Sequence, residues 1–251
     1  MTMEAQAMSL PSPEPLDIAV SSLLLDFDGT LVPIADAPDA VQVDDALIDL
    51  LERLAERLDG RIAIISGRSI AQLDALLGPM ARTMALSGSH GCEHRWNGVD
   101  ARPARPRELD EITARLQAFA ASHPGMLVEI KSFGVALHYR LSPEHGDEAV
   151  ALVRGLAEEA GLAFQPGQQV AEVRVPGSDK GVAVTRLMQR EPMLGSRPIF
   201  LGDDETDEVG FAAAVRLGGT AVAVGDRASL NARYHLSDPA AVRSWLEEVA
   251  A

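Results

Sequence analysis

The sequence predicts an α/β protein with a doubly wound, mostly parallel sheet as its core and an inserted α+β domain. Apolar runs alternate with amphipathic stretches early in the chain, and the same alternation returns in its last third. This alternation is typical of a parallel sheet with helices on both faces. In the middle segment, strands that alternate apolar and charged residues indicate an antiparallel sheet with one open face.

The first core segment is predicted to follow the order βαβαβ. Five leucines form a single helical stripe in its first helix: Leu47, Leu50, Leu51, Leu54 and Leu58. The Gly-Pro pair at 78–79 ends the second helix. We assign strands to 19–25, 61–65 and 83–87, and helices to 44–58 and 69–77.

The remaining elements complete the two-domain organisation. The last segment has predicted helices at 180–190, after Thr206 and at 238–249, and predicted strands at 198–201, 220–224 and 234–236. The middle segment has predicted helices at 107–122 and 144–160. We therefore expect a disordered leader over 1–16, a core over 17–101 and 176–251, and an inserted domain over 102–175.

Composition limits the classes of partner. The formal net charge of -15 argues against nucleic acid or an anionic membrane surface, since both are bound by basic patches. The N-terminal leader lacks the features of a signal or transit peptide, and no apolar run reaches membrane-spanning length. Cys92 is the only cysteine, which favours a small packed residue over a catalytic thiol and indicates a cytoplasmic location.

The stretch LLLDFDGT places two carboxylates, Asp26 and Asp28, where the first predicted strand ends. In doubly wound sheets the ligand site lies at the carboxyl ends of the strands. Two carboxylates this close repel each other unless a cation or a proton accompanies them. The stretch therefore predicts a metal ion, a proton or both, and hard oxygen ligands in a phosphate context favour Mg²⁺ as the metal.

Three other motifs are predicted to reach the same edge of the sheet. The stretch SGRS begins at Ser66 and leads into a helix, where free backbone N–H groups suit an anion. Lys180 starts another helix, and it is one of only two lysines in a chain that otherwise uses arginine. The stretch GDDETDE follows a strand and contributes three aspartates: Asp203, Asp204 and Asp207. Together these groups suit phosphoryl transfer.

The motifs DFDGT, SGR, SDKG and GDDETD, in that order, resemble those of the haloacid dehalogenase superfamily of phosphatases. The resemblance implies a Rossmann-like core of the haloacid dehalogenase type. It also implies that Asp26 is the nucleophile, that Asp28 is the general acid and base, and that Mg²⁺ is the cofactor. The other catalytic residues that it implies are Ser66 and Lys180. The metal ligands that it implies are Asp26, Asp28 through its backbone carbonyl, and Asp203, with Asp204 and Asp207 supporting the ion indirectly. We add Gly67 and Arg68 as candidate substrate-binding residues.

The inserted domain narrows the resemblance to trehalose-6-phosphate phosphatases. The stretches GSHGCE, VEIKSFGVALHYR and AEVRVPGSDKG are similar to that family's pattern, with Ser89 and Asp179 at two positions where asparagine is expected. Period two places the charged residues of each strand on one face, which suits a sugar phosphate as a small-molecule partner. The resemblance implies a cap domain with four sugar-binding residues: Glu129, Lys131, Arg140 and Glu172.

Several alternatives stay open at this point. The same chemistry would serve a sucrose-, glucosylglycerol- or mannosylglycerate-phosphate phosphatase, or a phosphomutase with a related cap. A phospho-accepting regulatory domain is a less favoured alternative because Asp28 is placed to promote breakdown of the intermediate. His90 and His94 have the spacing of a zinc helix, but Gly88 and Gly91 favour a turn or hairpin there. The sequence does not establish the oligomeric state.

Overall fold

The computed structural model describes residues 10–35 and 40–251. The first segment contains β1 (Ser21–Leu25), α1 (Asp45–Arg57), β2 (Ile62–Ile65), α2 (Ile70–Leu77), β3 (Ala85–Gly88), β4 (Glu93–Trp96) and β5 (Val99–Ala101). The middle segment contains α3 (Glu108–Ala121), β6 (Leu127–Lys131), β7 (Gly134–His138), α4 (Gly146–Ala160), β8 (Ala163–Gly167) and β9 (Val170–Arg174). The last segment contains α5 (Lys180–Met188), β10 (Arg197–Gly202), α6 (Glu208–Arg216), β11 (Thr220–Val224), β12 (Tyr234–Leu236) and α7 (Pro239–Ala250).

The chain divides into two compact units. The core unit combines Met1–Arg102 with Asp179–Ala251, and the insert is Pro103–Ser178. Residues 1–9 of the predicted leader lie outside the described residues. The rest of that leader has neither helix nor strand, and the Pro11 carbonyl accepts a hydrogen bond of 2.9 Å from the His235 amide.

The core unit contains one eight-stranded sheet, in the order β12-β11-β10-β1-β2-β3-β4-β5. The strands from β12 to β3 are parallel, whereas β4 pairs antiparallel with both β3 and β5. Leu23 and Leu25 of β1 pack into one apolar cluster with α1, α2 and α7, whereas Leu24 packs into a second cluster with α5 and α6. Helices therefore cover both faces, which confirms the predicted doubly wound fold.

The hairpin of β4 and β5 is the main core element that the sequence assignment left out. The two strands are joined by Asn97 and Gly98, which have φ of 47° and 75°. An Asn-Gly pair with positive φ at both residues is the preferred two-residue hairpin turn. The signal was present in the stretch RWNGVD, and the hairpin extends the parallel sheet by two antiparallel strands.

The insert is an antiparallel sheet in the order β6-β7-β9-β8, with α3 and α4 packed on one face. That face buries Val135, Leu137, Ala171 and Val173 against the apolar sides of both helices. One assignment in this region is wrong. Strand β7 ends at His138, so Arg140 lies in the following turn and is exposed, not on the charged face of the sheet. Among the described residues, none of the helices has the length and hydrophobicity required to span a bilayer.

Candidate active site

The carboxyl ends of β10, β1 and β2 place three of the predicted site residues at one edge of the core sheet. Asp26 follows β1 directly, and its amide donates a 2.9 Å hydrogen bond to the carbonyl of Leu201 in β10. Ser66 follows β2, and Asp203 follows β10. Because these strands are parallel neighbours, residues distant in sequence meet at this edge.

A buried network joins Asp26, Lys180 and Asp207. Lys180 is the first residue of α5, and its Nζ donates to Asp26 Oδ1 at 2.8 Å and to Asp207 Oδ1 at 2.7 Å. Lys180 is 3% exposed, Asp26 4% and Asp207 0%. Hydrogen bonds from an ionised ammonium in a buried site are strong and hold their partners rigidly. The network therefore orients the Asp26 carboxylate at the end of β1.

The electrostatics of the site favour the protonated form of Asp26 unless another cation is present. Desolvation by burial raises the pKa of Asp26 to about 7, because it outweighs the opposing charge of Lys180. Desolvation likewise raises the pKa of Asp203 to about 6 and that of Asp207 well above its ordinary value. Desolvation lowers the pKa of Lys180, but the neighbouring aspartates more than offset it, so its net pKa is raised. Asp204 differs, since Lys180 and hydrogen bonds from Thr206 hold its pKa below the usual value despite desolvation.

Asp207 organises the acidic loop after β10. Its Oδ2 accepts hydrogen bonds of 3.1 Å from the amides of Asp203 and Asp204, while its Oδ1 is held by Lys180. Asp204 begins the turn Glu205–Asp207 and accepts from the Thr206 amide at 2.8 Å. Both oxygens of Asp207 are thus engaged by donors, which fits a residue that positions Asp203.

The carboxylates fit a divalent cation. One oxygen from each of Asp26, Asp203 and Asp207 lies within 4.8 Å of the others. All three carboxylates have raised pKa values because burial, and after it the neighbouring like charges, disfavours their ionisation, and a bound divalent ion would relieve both effects. Gly29 has φ of 83°, and a Cβ there would lie 2.1 Å from Asp203 Oδ2, so only glycine leaves room for this carboxylate.

The loop after β2 presents a hydroxyl and backbone groups beside this cluster. Ser66 is 1% exposed, and its Oγ accepts a 3.1 Å hydrogen bond from the Arg68 amide. A Cβ on Gly67 would lie 2.7 Å from the His90 ring, so a larger residue here would require the ring to move. Ser69 then caps α2 by accepting from the Gln72 amide at 3.2 Å. Ser66 therefore holds the start of the loop and Ser69 holds its end, and these two contacts define the loop conformation.

Arg68 makes a two-pronged contact with Asp28. Its Nε and one terminal nitrogen donate to the two carboxylate oxygens, each at 2.7 Å. Such a bidentate pair fixes both side chains. The sequence placed the two residues in one site as substrate-binding residue and general acid, but no motif indicated that they would contact each other.

The predicted sugar-binding residues of the insert lie mostly on the polar face of its sheet. Lys131 Nζ donates to Glu172 Oε2 at 2.6 Å, and His138 Nε2 lies 2.9 Å from Glu129 Oε2. Register places Glu129 and Glu172 on either side of Ala136. Three of the four predicted residues therefore share a face, and Arg140 does not.

The glycine-histidine turn and the residue before Lys180 have structural partners. Ser89 Oγ donates to Glu93 Oε1 at 2.8 Å, and Glu93 Oε2 accepts from the Ile70 amide at 3.2 Å. Asp179 caps α5 by accepting from the Val182 amide at 2.7 Å, a role that asparagine also performs. His90 lies in a short turn with φ of 52°, as expected for a turn and not for a zinc helix.

Sequence reasoning missed three residues that support the site. Thr30 Oγ1 donates to Asp26 Oδ2 at 3.4 Å, although its position in DFDGT was a usable signal. Glu93 ties the glycine-histidine turn to the start of α2. Arg227 Nε donates to the Asp203 carbonyl at 3.3 Å and its Nη2 to Glu208 at 2.7 Å, a contact that no spacing predicts.

Comparisons with known proteins identify the family of the chain. The trehalose-phosphatase family model matches residues 24–239. The chain is 40% identical over 227 residues to the trehalose-6-phosphate phosphatase of Escherichia coli, and the aligned region covers 89% of this chain and 84% of that protein. The structure of a trehalose-6-phosphate phosphatase C-terminal domain from C. albicans superimposes with a TM-score of 0.77 at 27% identity, covering 96% of this chain and 98% of that one. A trehalose-6-phosphate phosphatase related protein gives the same TM-score of 0.77 at 26% identity, covering 91% and 97% of the two chains. The resemblance drawn from the motifs is confirmed, and the chain belongs to the trehalose-phosphatase family.

Proposed function

We propose that this protein hydrolyses trehalose 6-phosphate to trehalose and phosphate through an aspartyl-phosphate intermediate, with Mg²⁺ as cofactor. The observation that carries the chemistry is the buried bridge from Lys180 Nζ to Asp26 and Asp207 at 2.8 and 2.7 Å. The relatives named as trehalose-6-phosphate phosphatases support the substrate. Family membership implies a divalent metal ion, and the all-oxygen donor set favours Mg²⁺ among such ions.

In the first step, an Asp26 carboxylate oxygen forms a bond to phosphorus while the bond between phosphorus and the sugar oxygen breaks. Asp28 transfers its proton to the departing sugar oxygen, so trehalose leaves as a neutral alcohol. Lys180 keeps Asp26 oriented and offsets negative charge that gathers at the phosphoryl group. Ser66 Oγ lies at the end of β2, and we propose that it donates to a phosphoryl oxygen.

In the second step, a water oxygen attacks phosphorus and the acyl phosphate bond to Asp26 breaks. Asp28 accepts the proton that this water loses, which returns both aspartates to their starting states. Arg68 pairs with Asp28 in this structure, and its guanidinium also suits a phosphate. We assign Arg68 and Gly67 to phosphate binding next to Ser66.

The metal would be held by the carboxylates of Asp26 and Asp203 and by the backbone carbonyl of Asp28. When bound, Mg²⁺ supplies positive charge for the phosphoryl oxygens and allows Asp26 to ionise near neutral pH. Asp207 positions the Asp203 loop through its hydrogen bonds to two backbone amides. Asp204 supports the same loop as the cap of its short turn.

We propose that the insert is a cap domain that selects the sugar. Its polar face offers both carboxylates and cations, which suits a ligand with many hydroxyl groups. We assign sugar contacts to Glu129, Lys131 and Glu172, with His138 added because of its contact with Glu129. Arg140 is a weaker candidate, since it lies in a turn outside the sheet. A cytoplasmic location fits a sugar phosphate substrate and a single buried cysteine.

The test is a panel of phosphate esters with phosphate release as the readout. We expect trehalose 6-phosphate to give the highest kcat/KM, followed at a distance by sucrose, glucosylglycerol and mannosylglycerate phosphates. Asp26→Asn should abolish turnover, because an amide is a poor nucleophile and metal ligand. Asp179→Asn is a matched control that preserves the cap of α5 and should retain activity. A higher kcat/KM on another sugar phosphate would show that trehalose 6-phosphate is not the preferred substrate. Substantial turnover by Asp26→Asn would overturn the proposed mechanism.

A further inference from the structure

The insert carries a cluster of potential metal ligands that the proposed phosphatase chemistry does not use. His123, His145 and Glu148 each place one ligand atom within 4.8 Å of the others. His123 follows α3, His145 immediately precedes α4, and Glu148 lies in the first turn of α4. The cluster is therefore built from the ends of the two helices, which cover the face of the insert sheet opposite its polar face.

We propose that this cluster is a second metal site that binds a borderline divalent ion, with Zn²⁺ as the best match. Two imidazoles and one carboxylate form a donor set that zinc favours, whereas Mg²⁺ prefers oxygen ligands alone. The all-aspartate cluster of the core and this mixed cluster thus differ in the ion that they select.

The His123 ring is held in an orientation that suits a metal ligand. Its Nδ1 lies 2.8 Å from the carbonyl of Phe119. A carbonyl has no proton to give, so this hydrogen bond requires a proton on Nδ1, and in the neutral ring the lone pair is then on Nε2. The ring also stacks on Phe119, with centroids 4.1 Å apart. Metal-bound histidines are held in the same way, through a hydrogen bond from the other ring nitrogen.

The spacing of the three groups is closer to that of ligands than to that of hydrogen-bonded partners. His123 Nε2 lies 3.7 Å from Glu148 Oε2, and His145 Nδ1 lies 4.0 Å from the same oxygen. Both distances exceed a hydrogen bond. Ligands of a tetrahedral zinc ion at about 2.1 Å lie about 3.4 Å from one another, so a small closure would complete the site. The two rings already lie edge to face, with centroids 4.6 Å apart.

The side chains that would have to move are the accessible ones. Glu148 is 62% exposed and His145 41%, whereas His123 is 16% exposed and fixed by Phe119. A fixed imidazole with two adjustable ligands leaves an open side where water completes the coordination. An ion bound here would tie the end of α3 to the start of α4 and stabilise the insert.

The test measures zinc bound to the full chain after chelator treatment, by equilibrium dialysis and elemental analysis in excess Mg²⁺. We expect wild type to bind one zinc ion that is lost, or bound at least about tenfold more weakly, in His123→Gln, His145→Gln and Glu148→Gln. Glu144→Gln changes an exposed carboxylate of the same loop and should bind as wild type does. Asp203→Asn alters the core cluster and should also keep this ion.

A second measurement guards against variants that fail to fold. In wild type, Zn²⁺ added in excess Mg²⁺ should shift the imidazole NMR signals of His123 and His145 together and raise Tm further, while Mg²⁺ alone should leave these signals unchanged. Zinc binding that is absent from wild type, or equally strong in all three cluster variants, would overturn the proposal. Neither measurement depends on catalytic activity, so failure here is separate from failure of the proposed phosphatase function.

Discussion

The raised pKa of Asp26 predicts an unusual pH dependence of stability in the metal-free protein. The folded state keeps the Asp26 proton up to about pH 7, whereas the unfolded chain releases it near the ordinary value of 3.8. Raising the pH through this window therefore favours the unfolded state. Each unit of pKa shift is worth about 1.4 kcal/mol, so Asp26 alone should remove on the order of 4 kcal/mol of stability between about pH 4 and pH 7.

The assay compares wild type with Asp26→Asn by urea unfolding in chelator at several pH values. The amide imitates the protonated carboxyl at every pH, so Asp26→Asn should not show this loss of stability. Its free energy of unfolding relative to that of wild type should therefore rise by on the order of 4 kcal/mol across the window. Groups with lowered pKa values, such as Asp44 and Glu208, respond in the opposite direction and lose stability as pH falls. They are present in both proteins, and the comparison cancels them.

Two controls separate this effect from others. Asp59→Asn also removes one negative charge from the acidic chain. Because the Asp59 side chain is 83% exposed, this substitution does not alter a buried carboxyl group. Its stability relative to wild type should change little with pH. Adding Mg²⁺ at pH 7.5 should stabilise wild type but not Asp26→Asn, because the ion binds the ionised carboxylate. A pH-independent difference between wild type and Asp26→Asn would refute the assignment of a raised pKa.

Three further predictions address the site residues. Lys180→Arg should lower activity by about tenfold or more with the fold intact by circular dichroism, because a planar guanidinium does not replace a compact ammonium between two carboxylates; wild-type rates would contradict this. Gly29→Ala should weaken Mg²⁺ activation, since φ is 83° and the new Cβ would lie 2.1 Å from Asp203; an unchanged activation constant would show that the loop adapts. Lys131→Met and Glu172→Gln should each lower kcat/KM for trehalose 6-phosphate relative to p-nitrophenyl phosphate by about tenfold or more. Because these two residues pair at 2.6 Å, the double variant should lose less than the product of the single losses, and fully multiplicative losses would show that they act independently.

The sequence was sufficient to predict which residues meet at the core site. Asp26, Ser66 and Asp203 each follow a buried strand, and parallel strands bring such positions to one edge of the sheet. The rule needs strand ends, which apolar periodicity supplies, and a common strand direction, which the alternation of strands with helices supplies. The prediction therefore did not depend on the register of any strand.

The contacts within the site were not predictable in the same way. Arg68 reaches Asp28, and Arg227 reaches the Asp203 carbonyl, through long side chains with many rotamers. Periodicity specifies the face of an element but not the direction of a flexible side chain. Arg140 shows a related limit. The alternation of VALHYR continues past the point where β7 ends, so the pattern alone extended the strand by two residues.

The polar face of the insert shows how charge pairing and substrate choice are connected. Glu129 on β6 and Glu172 on β9 lie on either side of Ala136 on β7, and each carboxylate already has a partner: His138 contacts Glu129, and Lys131 donates to Glu172. Carboxylates held in this way keep spare lone pairs for sugar hydroxyls and lose little side-chain entropy on binding. The proposed sugar contacts therefore depend on the two partners as much as on the glutamates, because Lys131 and His138 hold the carboxylates in place on this face.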